Sequence, residues 1–598
     1  MVINRNEDRL RYSSLKLTER LWKHLDGRRH RQFYLMFVLM IISAATEMIS
    51  IGAILPFLAI LTDPESIFNN PNVYPFMVMF DFSKPSQLVL PLTLFFIVAA
   101  LLAGALRLSV LIITTRFSFA VGADLGKDIY QKTLYQPYSV HIDRNSSEVM
   151  NGVINKTDTV IYGVLLSILT IISSISIITG ICLTLIIVEP FLSLLAILGF
   201  LSVYGGLLFL TKSRLEKSSK SIATESTKLI KALQEGLEGI RDILLLGCQK
   251  LFSNIFHTAD KKLRKSQGDA HIISGSPRYV IETLFMLIIA ISAFFLSKTE
   301  VGLLGAIPVL GVLALGAQKL IPSFQQVYGS ISNIRAAKES LIDVLTLLDQ
   351  HVPKSLLEQN VKKLCFSKEI RLENVEFSYL PTQPLIFKNI RLRIKKGTKV
   401  GLIGETGSGK TTLMDLIMGL LQPVKGVISI DECALSQCNI KGWQANIAHV
   451  PQNIYIADGS LIDNIAFGET RDAVDLNKIN KIIEKVKLNE LVDSWQHGAE
   501  TILGERGSRL SGGQKQRIGI ARALYRDVEV VCFDEPTSAL DQATENSIIE
   551  AINDLEKDIT VFIIAHRIST LSICDVVFRV KGQIVSKVDK STINISRK

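Results

Sequence analysis

The sequence has few of the features that mark a disulfide-bonded or metal-binding protein. It contains only seven cysteines, and no two of them form a Cys-x-x-Cys pair. At least five lie in segments that we interpret as cytoplasmic, where disulfides are rare, so we predict no redox or metal role for them. We also expect no cleavable signal peptide, because the N-terminus is long and charged and the first apolar run is too long for one.

Charge is also sparse, since only 20% of the residues are Asp, Glu, Lys or Arg, although the net charge is +10. A basic balance can indicate nucleic-acid binding. Here the basic residues flank apolar segments instead of forming a patch with interleaved aromatics, so we predict no nucleic-acid partner. By contrast, 48% of the residues are hydrophobic and the mean hydropathy is +0.31. This content is concentrated in the first half and predicts membrane spans.

Six segments of the first half are apolar enough, and long enough, to cross a hydrocarbon core of about 30 Å. They are Phe33–Leu61, Leu88–Thr114, Val160–Val188, Pro190–Leu210, Tyr279–Leu296 and Val301–Leu320. Basic residues cluster before the first span, whereas the connection after it has a single lysine, Lys84. The positive-inside bias therefore predicts a cytoplasmic N-terminus, and six spans return the C-terminus to the cytoplasm. We expect a multi-pass protein of the plasma membrane, which in a bacterium is the inner membrane.

Two long connections, Arg116–Thr159 and Thr211–Arg278, are predicted to face the cytoplasm. The second keeps a helical apolar rhythm beyond the membrane, which predicts an amphipathic helix packed on its neighbour. The rhythm consists of Leu215, Ile222, Leu229, Leu233, Leu237, Ile240 and Leu244. We expect the turns at Tyr135–Asn145 and Gly247–Asn254 to contact the soluble second half and to carry motion between the halves.

Four ionisable residues fall within or at the end of predicted spans: Glu47, Arg107, Glu282 and Lys319. Charge at membrane depth is costly and usually faces a cavity or a partner. Two interpretations remain open. These residues form buried structural pairs or snorkel to the interface, or they line the path of a substrate.

A phosphate-binding loop opens the second half. The strand-like run Lys399–Ile403 leads into the loop, and the apolar run Leu413–Leu421 follows it, which gives the strand–loop–helix context of G-x-x-x-x-G-K-[ST]. The backbone N–H groups and the helix N-terminus would surround the phosphates of ATP, Lys410 would reach the β- and γ-phosphates, and the Thr411 hydroxyl would ligate Mg²⁺. The loop residues are Gly404, Glu405, Thr406, Gly407, Ser408, Gly409, Lys410, Thr411 and Thr412.

Two adjacent carboxylates end the apolar run Val528–Pro536. Asp534 is placed to coordinate Mg²⁺, and Glu535 is placed to act as the base that orients the attacking water. The alternative is a pair of surface acids after a buried strand. A P-loop roughly 120 residues earlier, in the order of an α/β ATPase, favours the catalytic interpretation.

The segment LSGGQKQR, Leu510–Arg517, resembles the signature of the ABC (ATP-binding cassette) family, and the other family motifs follow in family order. The resemblance implies that Ser511, Gly512, Gly513 and Gln514 contact ATP. It also implies a role for each remaining motif. These are Tyr379 stacked on adenine, Gln452 as the Q-loop glutamine that senses Mg²⁺, Gly504–Gly507 as the exporter X-loop, Ser538–Asp541 as the D-loop with Asp541 at the ATP site, and His566 as the switch histidine on the γ-phosphate.

The resemblance implies an ABC exporter, with an α-helical transmembrane domain of six spans and an α/β P-loop NTPase domain. We expect a cytoplasmic segment at 1–32, a transmembrane domain at 33–325, a linker at 326–368 and a nucleotide-binding domain at 369–590. In this family each ATP lies between the P-loop of one subunit and the signature of another. One chain has one of each, so a second copy of itself is the simplest partner, although a heterodimer remains open.

Several residues of the membrane half resemble bacterial flippases for lipid-linked oligosaccharides. They are Thr46-Glu47, Leu55-Pro56-Phe57, Arg107 and Ser276-Pro277-Arg278. The resemblance implies a lipid-linked glycan as cargo, turned over among membrane lipids. Gln325 and Gln326 depart from the basic character that would suit such a substrate. Export of other lipids, peptides or drugs remains an alternative, as does a non-transporting regulatory ABC protein.

Overall fold

The computed structural model describes residues 14–62, 85–188, 190–296, 302–353, 356, 362–380, 382–536, 542–553, 555–565 and 567–589. Contacts within the chain divide it into two units. The first unit consists of Met1–Leu134 and Arg144–His351, and the second of Tyr135–Asp143 and Val352–Lys598. The second unit therefore includes a short piece of chain that lies, in sequence, inside the first.

The elements described in the first unit are helices, and several continue well beyond a membrane thickness. They are α1 (Ser14–Lys23), α2 (Gly27–Gly52), α3 (Ile54–Thr62), α4 (Val89–Leu134), α6 (Ser146–Asn151), α7 (Thr157–Val160), α8 (Leu166–Val188), α9 (Pro190–Glu238), α10 (Ile240–Leu246), α11 (Gln249–Gly275), α12 (Pro277–Leu296), α13 (Gly302–Ala336) and α14 (Lys338–Leu348), with α5 (Tyr138–Asp143) in the second unit. Two π-helical turns, Gly152–Lys156 and Ile161–Leu165, flank α7.

Three helical stretches in the described part of the chain are long and apolar enough to cross a membrane. They are Gly27–Gly52, Val89–Leu134 and Ser146–Ile187, which contain the first three predicted spans or most of each. The other three predicted spans fall in α9, α12 and α13, apart from Val301, which lies outside the described residues. The count of six spans remains a prediction.

The N-terminal helix α1 is fixed by one apolar face. Leu17 and Leu21, four residues apart and each 2% exposed, share a buried cluster with residues of α2, α4 and α14. On the polar side, Arg20 and His24 both bond the carboxylate of Asp349, just beyond the end of α14. Helix α1 therefore contacts the last helix before the connection to the second unit.

The amphipathic rhythm of α9 is only partly buried. Leu215 is fully buried, as expected of a helix packed on its neighbour. Leu233 and Leu237 farther along the helix, and Leu244 in α10, are exposed. Helix α9 packs on its neighbour α11, as predicted, but the apolar residues near the C-terminal end of the stripe are not covered by the described helices of their own unit.

The second unit is built on two sheets. Its strands are β1 (Glu369–Phe377), β2 (Phe387–Lys395), β3 (Lys399–Ile403), β4 (Lys425–Ile430), β5 (Cys433–Ala434), β6 (Ile447–Val450), β7 (Val530–Asp534), β8 (Thr560–Ile564), β9 (Val576–Lys581) and β10 (Ile584–Val588). Its helices after α5 are α15 (Lys410–Ile417), α16 (Ile440–Gln444), α17 (Leu461–Ile465), α18 (Leu476–Lys485), α19 (Asn489–Asp493), α20 (Gly512–Tyr525), α21 (Gln542–Asn553) and α22 (Ile568–Ser572).

The larger sheet positions the functional residues. Its strand order is β10-β9-β3-β8-β7-β6, and all neighbours pair in parallel except β10 with β9. The smaller sheet, β2-β1-β4-β5, is antiparallel. In a parallel sheet the carboxyl ends of the strands share one edge, where ligands bind in α/β folds. The predicted fold class, a helical membrane domain and an α/β P-loop domain, is confirmed.

Candidate functional site

The phosphate-binding loop connects β3 to α15 at this edge. Gly409 is the N-cap of α15 with φ of 100°, and a Cβ atom there would lie 2.9 Å from the ring of Phe387. Only glycine fits this left-handed, crowded position. The Lys410 ammonium donates to the carbonyls of Gly404 at 2.9 Å and Glu405 at 3.0 Å, so it lies over the loop. Burial lowers the pKa of Lys410, and the nearby carboxylates of Glu535 and Asp534 oppose that shift.

Thr411 and Asp534 meet where two strands of the sheet end. The Thr411 hydroxyl donates to Oδ2 of Asp534 at 3.2 Å, although 123 residues separate them. A hydroxyl and a carboxylate are oxygen ligands of the kind that Mg²⁺ accepts, with substrate phosphates supplying others. In the described residues no group of three His, Cys, Asp or Glu could hold a metal alone. The two oxygens would fit a magnesium ion whose other ligands come from the phosphates of a bound nucleotide.

Glu535 sits in a strained backbone conformation. Its φ is 48°, which is uncommon for a residue other than glycine and is found at functional sites. Its N–H donates to the carbonyl of Ile564 at 3.1 Å, and its Oε2 accepts from the amide of Gln452 at 2.9 Å. The amide of Gln516 approaches the Glu535 carbonyl at 3.4 Å. Sequence analysis missed Gln516, although it stands in the signature two residues after Gln514.

Tyr379 is positioned by two neighbours. Its hydroxyl lies 3.0 Å from the Thr412 hydroxyl, and its ring meets Phe377 edge-on with centroids 5.2 Å apart. The residue is 38% exposed, so part of the ring is available for stacking. This placement beside the P-loop suits the predicted contact with adenine.

A buried acid near Asp534 was missed as well. Asp415 lies on α15 and is 7% exposed. Burial, together with the charge of Asp534, raises the pKa of Asp415 to about 6. No sequence signal marks this residue, because an aspartate on a helix usually faces water.

The signature residues form the start of α20. The Ser511 hydroxyl caps the helix by accepting from the N–H of Gln514 at 3.2 Å, and the Gln514 side chain accepts from the N–H of Ser511 at 2.8 Å. This capping box satisfies two of the N–H groups that a helix start leaves open. Gly512 and Gly513 are the first two helical residues. Two other predicted ATP contacts, Asp541 and His566, lie outside the described residues.

The four charged residues of the predicted spans have different surroundings in the structure. Glu47, on α2, is 4% exposed and accepts from the Lys319 ammonium of α13. Glu282 pairs with Arg278 one turn earlier on α12, at 2.6 Å. Arg107 is exposed on α4. Glu47 and Lys319, which are 272 residues apart, are therefore the two that the fold brings together.

The turn predicted to contact the ATPase half does so. Helix α5 and the residues before it belong to the second unit, and the Lys441 ammonium lies 5.0 Å from the ring centroid of Tyr135. Lys441 was not singled out from the sequence. The other turn, where Gly247 at φ of 63° ends α10, belongs to the first unit, and its predicted contact remains a prediction.

Comparisons with known proteins agree with this geometry. Residues 33–302 match the family model of the ABC transporter transmembrane region, and residues 387–538 match that of the ABC transporter. The heterocyst differentiation ATP-binding protein HepA of Nostoc sp. is 28% identical over 91% of this chain and 89% of its own. An ATP-dependent lipid A-core flippase of Francisella tularensis is 28% identical over 76% of this chain and 75% of its own length. A lipid A-core flippase of Ralstonia nicotianae is 38% identical to this chain, over 36% of this chain and 37% of its own length.

A solved structure extends the agreement to the whole fold. The structure of a bacterial Atm1-family ABC exporter with ATP bound matches with a TM-score of 0.75 and 18% identity, over 96% of this chain and 97% of that one. Both halves thus match ABC families separately, and their combination matches an exporter fold. The chain belongs to the ABC transporters and has the fold of an exporter, with a transmembrane domain and an ATP-hydrolysing nucleotide-binding domain fused in one polypeptide.

Proposed function

We propose that this exporter uses ATP to turn a lipid-linked oligosaccharide, or a related glycolipid, across the bacterial inner membrane. The observation that supports this cargo is the Lys319 ammonium, which is anchored by the buried carboxylate of Glu47 while its side chain remains 41% exposed. An anchored, accessible cation in the membrane domain suits the phosphate of a lipid carrier. Relatives named lipid A-core flippases support a lipid cargo.

Arg107 is the second cation that we assign to the substrate path. Glu282, also assigned to the path, is paired with a further arginine, Arg278. An arginine presents a rigid fork of donors that matches phosphate oxygens. Arg107 has no charged partner among the described residues, which leaves its guanidinium available. These positions support recognition of an anionic headgroup, with the glycan and the lipid chain left to the apolar surroundings.

The substrate proposal is tested in liposomes that contain purified protein, ATP and one fluorescent lipid at a time. We expect turnover of a lipid-linked oligosaccharide and little turnover of a phospholipid with an uncharged headgroup. Arg107→Ala should reduce turnover at least tenfold with little change in basal ATPase activity. Arg116→Ala, an exposed arginine nine residues along the same helix, is the matched control. Unchanged turnover in Arg107→Ala, or no turnover of the glycolipid by wild type, would contradict the proposal.

We also propose that the working form is a homodimer. The chain supplies one P-loop and one signature, and neither the Gln452–Glu535 pair nor the Thr411–Asp534 pair shows any departure from an active site. The turn around Gly247 adds support, because Leu244, Leu245, Leu246 and Leu251 are all more than half exposed there. Exposed apolar clusters usually mark protein contacts, and a second copy's ATPase domain is the contact that we assign to them.

The homodimer is tested by mixing wild-type chains with hydrolysis-deficient chains before reconstitution. If two equal sites depend on each other, activity should fall faster than the fraction of wild-type chains. A linear decline, or a fully active monomer by light scattering, contradicts the dimer.

Removal of Mg²⁺ with a chelator should abolish hydrolysis, since Thr411 and Asp534 are the proposed ligands. Both termini are proposed to be cytoplasmic, which protease accessibility in intact spheroplasts checks.

A further inference from the structure

A polar cavity lies among the extended helices of the first unit, apart from the ATP site. Its volume is about 330 Å³. It is lined by α6 and the π-helical turn Gly152–Lys156, by one face of α9, and by α14. Three elements distant in sequence therefore converge on a space that can hold a small molecule.

The lining is predominantly cationic. It contains five basic residues and three acidic ones. The most buried of the basic residues is Lys156, which is 8% exposed and donates to Asp343 of α14 at 2.6 Å. Lys156 lies on the π-helical turn, a local widening of a helix that is frequent at functional sites. The Lys156–Asp343 pair neutralises itself on one side of the cavity, so the excess positive charge comes from the other basic lining residues.

That excess is carried by three lysines on one face of α9, namely Lys220, Lys228 and Lys231. Lys231 pairs with Glu235 of its own helix at 3.6 Å, and because both side chains are more than half exposed, this pair is weak and exchanges readily. Lys228 pairs with Glu225 at 2.8 Å, and because the Glu225 carboxylate is buried, this pair is held more firmly. Lys220 has no charged partner in the described part of the chain.

The lysines are spaced for a ligand with more than one anionic group. At 1.5 Å per residue, Lys228 and Lys231 are about 4.5 Å apart along α9, and Lys220 is about 12 Å from Lys228. The Thr224 hydroxyl lines the cavity between Lys220 and Lys228 and can donate to anionic oxygens, whereas the hydroxyl of Thr227 already donates to the Ala223 carbonyl at 3.1 Å. Neighbouring phosphates of one diphosphate would meet the closer two lysines.

The cavity is too far along α9 for a lipid headgroup. Lys220 stands 30 residues after Pro190, the first residue of the helix, which corresponds to about 45 Å of helix. The hydrocarbon core accounts for about 30 Å of that length. A ligand that reaches this depth must therefore come from the aqueous phase.

We infer that this cavity binds a soluble diphosphate, either inorganic pyrophosphate or the diphosphate of a small ester. Such a ligand would bridge Lys220, Lys228 and Lys231 of α9 to the wall formed by Lys156 and α14. Binding there would stabilise the packing of α9 on α14, the last helix of the first unit. The site is independent of the cargo proposed above.

The test is calorimetric titration of the purified full-length chain with inorganic pyrophosphate. The P-loop also binds diphosphates, so wild type should show two sites per chain. Lys220→Ala combined with Lys231→Ala should lower the affinity of one site at least tenfold and leave the other unchanged. Lys265→Ala, which removes an exposed lysine of α11 outside the cavity, should keep both sites. Lys220→Arg combined with Lys231→Arg should also keep both sites.

Substitution of exposed lysines has little effect on folding, and the unliganded melting temperatures of all variants check this. A repeat with ADP in place of pyrophosphate identifies the source. A second ADP site lost in the double alanine variant indicates a diphosphate ester, and its absence indicates free pyrophosphate. A single pyrophosphate site in wild type, or a second site that survives the double alanine change, overturns the inference.

Discussion

The side-chain amide of Gln452 donates a 2.9 Å hydrogen bond to Oε2 of Glu535, and so links the chain after β6 to the end of β7. The bond holds a carboxylate whose backbone is already in a left-handed conformation. Both constraints orient the carboxylate at the edge of the sheet, beside Thr411 and Asp534, the proposed magnesium ligands. If Glu535 is the base, as predicted from the sequence, it would present the attacking water in one direction.

Exchanging Glu535 for Gln should stop hydrolysis and preserve ATP binding. The amide keeps the shape of the side chain but cannot accept a proton, so we expect turnover to fall by at least roughly 100-fold. Phosphate release and nucleotide affinity are measured on the same preparation. Glu550→Gln, an exposed residue of α21, serves as the control and should retain wild-type activity. Undiminished hydrolysis in Glu535→Gln would show that another residue is the base.

Gly409→Ala should weaken ATP binding. The added methyl group meets the Phe387 ring at 2.9 Å, and alanine at φ of 100° is strained, so the loop must change shape. We expect a loss of affinity of more than about tenfold and a destabilisation of about 1–3 kcal/mol. Gly582→Ala is the matched control, since Gly582 also has positive φ, at 58°, but has nothing within 4 Å. It should lower stability without a change in ATP affinity.

Asp415→Asn should stabilise the protein at neutral pH. The pKa of Asp415 is about 6 in the folded chain, above its ordinary value of 3.8, because of burial and the charge of Asp534. An acid with a raised folded-state pKa binds protons more tightly when folded. Its ionised form is therefore a cost above pH 6 that disappears as the pH falls toward 4. We expect a gain of up to about 3 kcal/mol at pH 8 that shrinks at pH 5, measured by thermal unfolding.

Asp431→Asn provides the opposite sign in the same domain. Burial favours the protonated form of Asp431, but the N–H groups of Ser367, Glu369 and Lys368 outweigh it and lower the pKa of the carboxyl. Stability from this group is present above its unfolded pKa and is lost as the pH falls through the folded one. The variant should be less stable than wild type at pH 7. A change of the same sign in both variants would contradict these assignments.

Paired substitutions separate the two interpretations of Glu47 and Lys319. Glu47→Met or Lys319→Met alone leaves a charge uncompensated, which should destabilise the membrane domain by about 1–3 kcal/mol because Lys319 is partly exposed. The double variant should recover most of that stability. If Lys319 also contacts substrate, glycolipid turnover stays low in the double variant. Recovery of both stability and turnover would assign the pair a structural role only.

The parts of the site that the sequence predicts are those with local determinants. The P-loop, the strand that ends at Asp534, and the signature helix each depend on a short run of residues whose turn and cap geometry is self-contained. Contacts between distant segments are different. No pattern in the sequence shows that Lys319 reaches Glu47, that Gln516 approaches the Glu535 carbonyl, or that Asp415 is buried, because each depends on how helices pack.

For the amphipathic stripe of α9, the sequence predicts the helix but not which part of its apolar face is buried. The periodicity of its apolar residues correctly predicts that the helix of the fourth predicted span continues beyond Leu210, since α9 runs to Glu238, but it cannot say what covers the apolar face. Leu215 is covered within the chain, whereas Leu237 is 71% exposed. Periodicity reports that a face is apolar, and only the assembled neighbours decide whether it is buried.

Helix α5 carries a consequence for biosynthesis. Its nine-residue segment, Tyr135–Asp143, belongs by its contacts to the second unit, yet the ribosome makes it more than 200 residues before that unit begins at Val352. The segment is therefore synthesised between two helices of the first unit before the rest of the second unit exists, and it can pack there only after that unit has been synthesised. A gene split at residue 352 would release an ATPase domain that lacks one of its own parts. Maturation of the soluble half thus depends on prior insertion of the membrane half.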